Sequence, residues 1–369
     1  MSVYNDNRLK LGIFGTNVSY GTAATTAEGH FETTWPNVAD IAITADKAGF
    51  EALIPVARWR GFGGTTDFNG TCFETYTWAA GQAPITNNIA VFSTSHVPTV
   101  HPVVAAKQGT TIDHISNGRF GLNIVCGWYE QEFQMFGSAM MEHEAAYDYA
   151  AEWFEVVRRF WTEEEEFDHE GRFFKVVKGF SQPKPIQKPY PPIMQAGSSP
   201  TGARFAAKYA DMAFIGISNI SDDVNKNKIA DIRKMGREEF GRELQVWSSC
   251  SVVCRPTEQE ALDFARYYIL EKGDWEAAAN LARDRFPSHK PAPGEALRSP
   301  GWGGHLLIGT PEQVVDRLLA VADFGLDGVV LSWVNYQDEL RYWVREVMPL
   351  VEQAGLRKPY KPAGIAAPA

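Results

Sequence analysis

Polar residues that close apolar runs are the places where this sequence could do chemistry. Ala57-Arg58 closes one run, Thr94, Ser95 and His96 close another, and Asn123 lies within a third that ends in Cys-Gly-Trp. Gly197-Ser198-Ser199 closes a fourth, and Ser332, Trp333 and Asn335 close the last. Period-two alternation puts Ala90, Phe92, Thr94 and His96 on one strand face, and Gly121, Asn123, Val125 and Gly127 on one face of the next. A hydroxyl and an amide then stand together, and once buried they need a partner or a ligand. Hydrogen bonding within a layer of strands is the simpler use of the same pair.

The segment AGSSPTGARFAA (196–207) runs from a strand through small residues and hydroxyls into a helix. Free N–H groups at a helix start, with Ser198 and Ser199, suit a phosphate. Ser199 as an ordinary N-cap with Pro200 behind it explains the same letters. Other patterns carry less. His143-Glu144 begins an HExx pattern, but Tyr147 stands where a second zinc-binding His belongs. His96 and His101 match no short metal motif, and Cys72, Cys126, Cys250 and Cys254 read as small buried hydrophobes. No metal site is expected. Trp59, Trp128 and Trp302 fall in loops, where aromatics suit a flat apolar ring or simply the core.

These residues need a frame. Apolar runs at 10–17, 50–58, 88–96, 119–128, 192–198, 212–218, 244–254 and 328–334 read as eight strands, with helices between them and 336–353 closing the chain. The helices include 102–116 and the amphipathic stretch 143–161. Strands alternating with helices point to parallel βαβ units, and apolar runs to strands covered on both faces. A (β/α)8 TIM barrel is the simplest closure, and it places the polar residues together at the carboxyl ends of the strands. A doubly wound open sheet is the alternative, but no dinucleotide or P-loop fingerprint is present. Residues 162–192 read as a charged turn, a hairpin and a proline-rich connector. Segment 287–305 reads as a long loop over the C-terminal face and a candidate lid.

With 369 residues, 44% hydrophobic and 22% charged, the composition is that of a globular protein. Lys+Arg 35 against Asp+Glu 45 gives a formal net charge of −10. An acidic balance argues against nucleic acid or an anionic membrane as the main partner. There is no signal-type start and no apolar run of about 18 residues, so a cytoplasmic protein is the expectation.

The stretches TIDHISNGRFGLNIVCGWYEQEFQMFG (111–137), HEAAYDYAAEWFEVVRRFW (143–161), PPIMQAGSSPTGARFAAKYAD (191–211) and IGTPEQVVDRLLAVADFGLDGVVLSWVNY (308–336) together resemble the bacterial luciferase-like flavin monooxygenases. RWRGFGGTTDF (58–68) is similar to the pyrimidine oxygenases within that family. Other elements resemble the dimethylsulfone and alkanesulfonate enzymes.

The resemblance implies one barrel domain over 1–369, with insertions near 129–190 and 256–305 at the C-terminal face, assembled as a homodimer or homotetramer. It implies a two-component monooxygenase. Reduced FMN comes from a separate NAD(P)H-dependent flavin reductase, and O2 oxygenates a small organic substrate by ring opening, C–S cleavage or dehalogenation. Carried over by motif, Ala57, Arg58, Thr94, Asn123, Glu132, Tyr147, Gly197, Ser198 and Ser199 are the implied FMN contacts. Thr94 and Asn123 match an oxygen pocket beside flavin N(5), implying a flavin N(5)-peroxide. Ala146 departs from the pattern, standing where the pyrimidine oxygenases have an Arg. Strand-end or lid position alone offers Phe14, Asn17, His96, Trp302 and Trp333 as substrate-lining. A deazaflavin-dependent oxidoreductase and a non-catalytic flavin-binding protein are the alternatives on the same frame.

Overall fold

A computed structural model describes residues 1–197, 199–217, 222–285 and 299–361. Its strands are β1 (Lys10–Phe14), β2 (Ala52–Ile54), β3 (Ala90–His96), β4 (Phe120–Val125), β5 (Phe167–Glu170), β6 (Lys175–Gly179), β7 (Ile193–Ala196), β8 (Met212–Phe214), β9 (Gln245–Cys254), β10 (His305–Gly309) and β11 (Gly328–Ser332). Eight of them, β1, β2, β3, β4, β7, β8, β9 and β11, pair in parallel around a closed ring. All eight expected strands are present, several shorter than their apolar runs. The ring is the TIM barrel that the alternating pattern predicts, and the doubly wound alternative is set aside. β5 and β6 form an antiparallel hairpin, as the charged turn after the helix His143–Thr162 suggests.

One strand was not expected. β10 pairs with the upper half of β9, Cys250 to Cys254, while the lower half, Trp247 to Ser251, pairs with β11. A ten-residue strand reaches past its neighbours in the ring, and its free edge accepts this extra strand. The run HLLIG is too short to separate from the glycine-rich segment before it.

Alternation sorts the side chains. Ala52, Ile54, Ala90, Phe92, Met194, Met212, Trp247 and Val330 fill the barrel interior, with Val3 packed among them. Leu11, Ile13, Leu53, Val91, Leu122, Ile124, Ile193, Val329 and Leu331 face outward into the layer shared with the helices. Large and small residues interlock inside: a Cβ on Gly121 would stand 2.4 Å from the Phe92 ring, and one on Gly328 2.5 Å from the Trp247 ring. The interior is therefore a packed plug, and open chemistry belongs above the strand ends.

Of the expected lid, 287–298 lies outside the described residues. The described end is fixed to the body: Gly301 bridges Ala23, and the Trp302 N–H donates to the Thr22 carbonyl at 3.1 Å. Among the described residues no helix is long and apolar enough to cross a membrane. No group of three His, Cys, Asp or Glu there could hold a metal.

Candidate active site

Thr94 on β3 and Asn123 on β4 are register partners on the inward face. The Asn123 Nδ2 donates to Thr94 Oγ1 at 3.1 Å, and Thr94 Oγ1 donates to the Pro55 carbonyl at 2.6 Å. Both are buried, and Asn123 Oδ1 has no hydrogen-bond partner. An unused buried acceptor above a packed core carries a desolvation cost of about 1–3 kcal/mol. A donor brought in by a ligand removes that cost.

Arg58, just past β2, is the second centre. Its Nε donates to the Ala57 carbonyl at 2.5 Å. Its Nη2 lies 3.3 Å from His96 Nε2 and 3.4 Å from Glu132 Oε2. His96 Nδ1 stands 3.3 Å from the same Glu132 oxygen. These two neighbours assign the tautomer: Nδ1 carries the proton toward the carboxylate, and Nε2 accepts from the guanidinium. Glu132 Oε1 accepts from the amides of Trp59 and Arg60 at 2.6 and 3.3 Å. Burial pushes the Glu132 carboxyl up, but His96, Arg58 and the Trp59 amide together pull it lower than its usual range. Burial lowers His96 despite Glu132, and lowers Arg58 as well. The guanidinium carbon lies 5.0 to 5.6 Å from the ring centres of Phe62, Trp128, Tyr129 and Trp302, an aromatic box around a cation.

The third centre is the start of the helix Pro200–Tyr209. Ser199 caps it, accepting from the Gly202 N–H at 3.0 Å, with Pro200 in the first turn. The ordinary cap is therefore realised. The centre also has a shape that a cap alone does not need. The Tyr147 hydroxyl lies 2.6 Å from where a Cβ on Gly197 would stand and 2.5 Å from one on Gly202. Glycine at both positions lets the Tyr147 hydroxyl pack directly against the backbone of this helix start. His143 Nε2 reaches Ser199 Oγ at 3.2 Å. Gln195, buried on the outward face of β7, brings its Nε2 to 2.4 Å from the same absent Gly197 Cβ. Gln195 was not singled out from the sequence, and His143 only as the start of an HExx pattern, not as a neighbour of Ser199. The usable signal was spacing, because His143 precedes Tyr147 by four residues on one helix and so shares its face. Ser198 lies outside the described residues.

The remaining expected residues divide. His96 and Trp302 belong to the Arg58 box, and the Trp302 indole N–H donates to Asn69 Oδ1 at 2.6 Å. The Phe14 ring meets Phe214 at 5.6 Å at the top of the barrel plug. Two expectations are corrected. Asn17 is fully buried, with Oδ1 accepting from the Val56 N–H at 2.8 Å and Nδ2 donating to the Val56 and Phe73 carbonyls. It ties two loops together and has no face for a substrate. Trp333 points into the outer layer, 5.9 Å from the Tyr336 ring and 5.8 Å from Trp343. Val330 faces the interior, so alternation sends Trp333 outward. Glu132, expected as a direct cofactor contact, accepts from two amides and faces Arg58 and His96.

The family model described as luciferase-like monooxygenase matches residues 10–328, and the chain belongs to that family. The chain is similar to the FMNH2-dependent dimethylsulfone monooxygenase of Pseudomonas putida, at 28% identity over 85% of this chain and 87% of that one. It is equally similar, at 28%, to the pyrimidine monooxygenase RutA of Bradyrhizobium sp. strain BTAi1, over 95% of this chain and 99% of the relative. Among solved structures, riboflavin lyase RcaE with modified FMN and riboflavin superposes with a TM-score of 0.84 at 21% identity, covering 96% of this chain and 94% of that one. That likeness is one of fold.

Proposed function

We propose that this chain is a monooxygenase dependent on reduced FMN, the oxygenating half of a two-component system fed by a separate NAD(P)H-dependent flavin reductase. The observation that carries the reading is the Thr94–Asn123 pair. It is buried at the strand ends of a barrel in this family, and it leaves Asn123 Oδ1 unpartnered. Such an acceptor fits a flavin ring, whose edge offers N–H donors. The helix start at Pro200, with Ser199, His143 and Tyr147 gathered at it, fits the phosphate end. Both curated relatives above are monooxygenases by name, and the one from P. putida is named for FMNH2, which favours FMN over a deazaflavin.

Bound there, reduced FMN supplies the two electrons with which dioxygen is activated for insertion into an organic substrate. The protein's own part is binding, orientation and dryness. Thr94 Oγ1, fixed by Pro55, holds the Asn123 amide so that its oxygen points one way. Ser199, Tyr147 and His143 surround a helix start whose N–H groups suit an anion. The aromatic box above excludes water, which matters because water promotes wasteful loss of hydrogen peroxide. A homo-oligomer in the cytoplasm is part of the same reading.

Anaerobic fluorescence titration with reduced FMN tests the cofactor. Turnover with a flavin reductase, NADH, oxygen and either uracil or dimethylsulfone tests the reaction. Tight binding of reduced FMN with substrate-dependent product is expected. A protein that ignores reduced FMN, or that binds only a deazaflavin, overturns the reading.

A further inference from the structure

Among the buried polar atoms near the mouth of the barrel that lack a hydrogen-bond partner are Asn123 Oδ1, Arg58 Nη1 and Glu132 Oε2. The first is accounted for by the flavin reading, and the last faces Arg58 and His96 at salt-bridge distance. Arg58 Nη1 is accounted for by nothing. Arg58 is only 4% exposed, and its Nε and Nη2 are already used. A buried cation with two idle N–H bonds is costly unless an acceptor arrives.

Charge narrows what that acceptor is. The guanidinium is balanced by Glu132 at 3.4 Å, and His96 is neutral in the tautomer its neighbours impose. The Cys72 thiol nearby is pushed up by burial to about 12 and stays protonated, as does the Tyr129 phenol. The buried group therefore sums to zero. An anionic ligand would bring an uncompensated charge into it, whereas a carbonyl or sulfonyl oxygen brings a lone pair and no charge. An open groove of about 530 Å³ adjoins the box: Phe62 and Tyr129, two of its walls, line the groove together with Arg60, Arg283 and Asp284.

We propose that Arg58 is the substrate anchor of this enzyme and that its free Nη1 selects neutral molecules with a carbonyl- or sulfonyl-type acceptor oxygen, Glu132 and His96 serving to position it. This rests on the monooxygenase reading and names the substrate class for that site. It also moves Arg58 from the flavin to the substrate.

The test uses the full-length protein with and without FMN, and two probe pairs of similar size: uracil against orotate, and dimethylsulfone against methanesulfonate. Ligand-observed NMR gives probe affinities, and fluorescence quenching gives the FMN dissociation constant on the same samples. In the wild type the neutral member of each pair should bind at least about tenfold tighter than the anion. Arg58→Met should weaken the neutral probes by about 10- to 100-fold, the range of a hydrogen bond to a charged group. The FMN constant should move less than about twofold, within the scatter of a non-contact. Arg58→Lys, which keeps the charge but loses the fork, should fall between and serves if the Met variant fails to fold. Preference for the anions, unchanged neutral binding in both variants, or no binding of any probe overturns the proposal. So does an FMN constant that rises in step with the probe constant, since Arg58 would then be a cofactor contact. Failure of the monooxygenase reading is seen separately, as absence of FMN binding to the wild type.

Discussion

Two Arg–Glu pairs in this molecule have the same separation and the same burial but opposite surroundings. Arg58–Glu132 sits above the strand ends and Arg357–Glu51 beneath the barrel, each with N···O at 3.4 Å and both side chains 1% exposed. Below, Glu51 accepts from the Leu11 amide at 2.7 Å and from Asn5 and Asn7 at 2.9 and 2.6 Å. Arg357 donates to the Gly49 carbonyl at 2.6 Å. The pair draws the first residues, the start of the barrel and the segment after the closing helix into one knot. One nitrogen is idle there too, Arg357 Nε, but no other unpartnered atom lies among these contacts. Above, the partners come from three separate segments, the cation is walled by aromatics, and idle atoms from Arg58, Glu132 and Asn123 gather. A buried ion pair alone says little about purpose. What distinguishes a staple from a site is whether its leftover hydrogen bonds converge.

The largest effect expected from this contrast is on stability, at the lower pair. Arg357→Met leaves Glu51 charged and buried and should cost about 3–5 kcal/mol of unfolding free energy. Urea denaturation measures the loss, and the FMN affinity of the folded fraction should stay as in the wild type. A variant that keeps its stability but loses flavin would break the contrast between staple and site.

Above the barrel the large effect should appear in chemistry instead. Asn123→Ala removes the amide that holds the unused acceptor and should lower coupled product formation by about 10²-fold, as loss of one positioned polar group does. Its unfolding free energy should drop by no more than about 3 kcal/mol. Thr94→Val should act in the same direction, because it frees the Asn123 amide from its fixed hydroxyl. Product yield per NADH, with hydrogen peroxide assayed alongside, separates uncoupling from slow turnover. Full coupling in both variants would remove the pair from the site.

A smaller effect tests the neighbouring cradle. Gly197→Ala puts a methyl 2.4 Å from Gln195 Nε2 and 2.6 Å from the Tyr147 hydroxyl. Overpacking of this kind costs about 1–3 kcal/mol. If this helix start holds a phosphate, FMN binding should weaken by about tenfold while riboflavin, which lacks the phosphate, changes less. Equal weakening of both would show that the close approach of Tyr147 serves packing alone.

Much of this was legible in the letters, and the reasons differ by residue. Thr94 beside Asn123 follows from alternation on two neighbouring strands, a local rule applied twice. The ring of eight strands follows from the rhythm of apolar runs. The Arg58 box does not, because Arg58, His96, Glu132 and Trp302 come from four segments that only the closed barrel brings together. Trp333 and Asn17 were misplaced for a different reason. Strand-end position was used without the phase of the strand, and Val330 inside puts Trp333 outside. β10 was lost in a glycine-rich stretch that hides a five-residue strand.

The smallest effect is a pH dependence that only the upper pair should show. His96, buried and held neutral between Arg58 and Glu132, has its pKa lowered, so the folded protein resists a proton that the unfolded chain accepts near pH 6.5. Stability from this source is fully present above about pH 6.5 and declines as pH falls from there toward the folded value. Glu132, also lowered, adds a second loss at more acid pH, below about 4.5. No histidine is among the contacts of Glu51 and Arg357. Unfolding free energies of wild type and His96→Gln between pH 5 and 8 isolate the first window, since every other histidine is common to both. The difference in slope is bounded by one proton, about 1.4 kcal/mol per pH unit. Gln keeps an acceptor for Arg58 and a donor for Glu132 but cannot titrate, so its curve should be flatter below pH 6.5 and parallel above it. Parallel curves throughout would mean that His96 takes its proton in the folded state as readily as in water, and the zero-charge seat proposed for Arg58 would lose its basis.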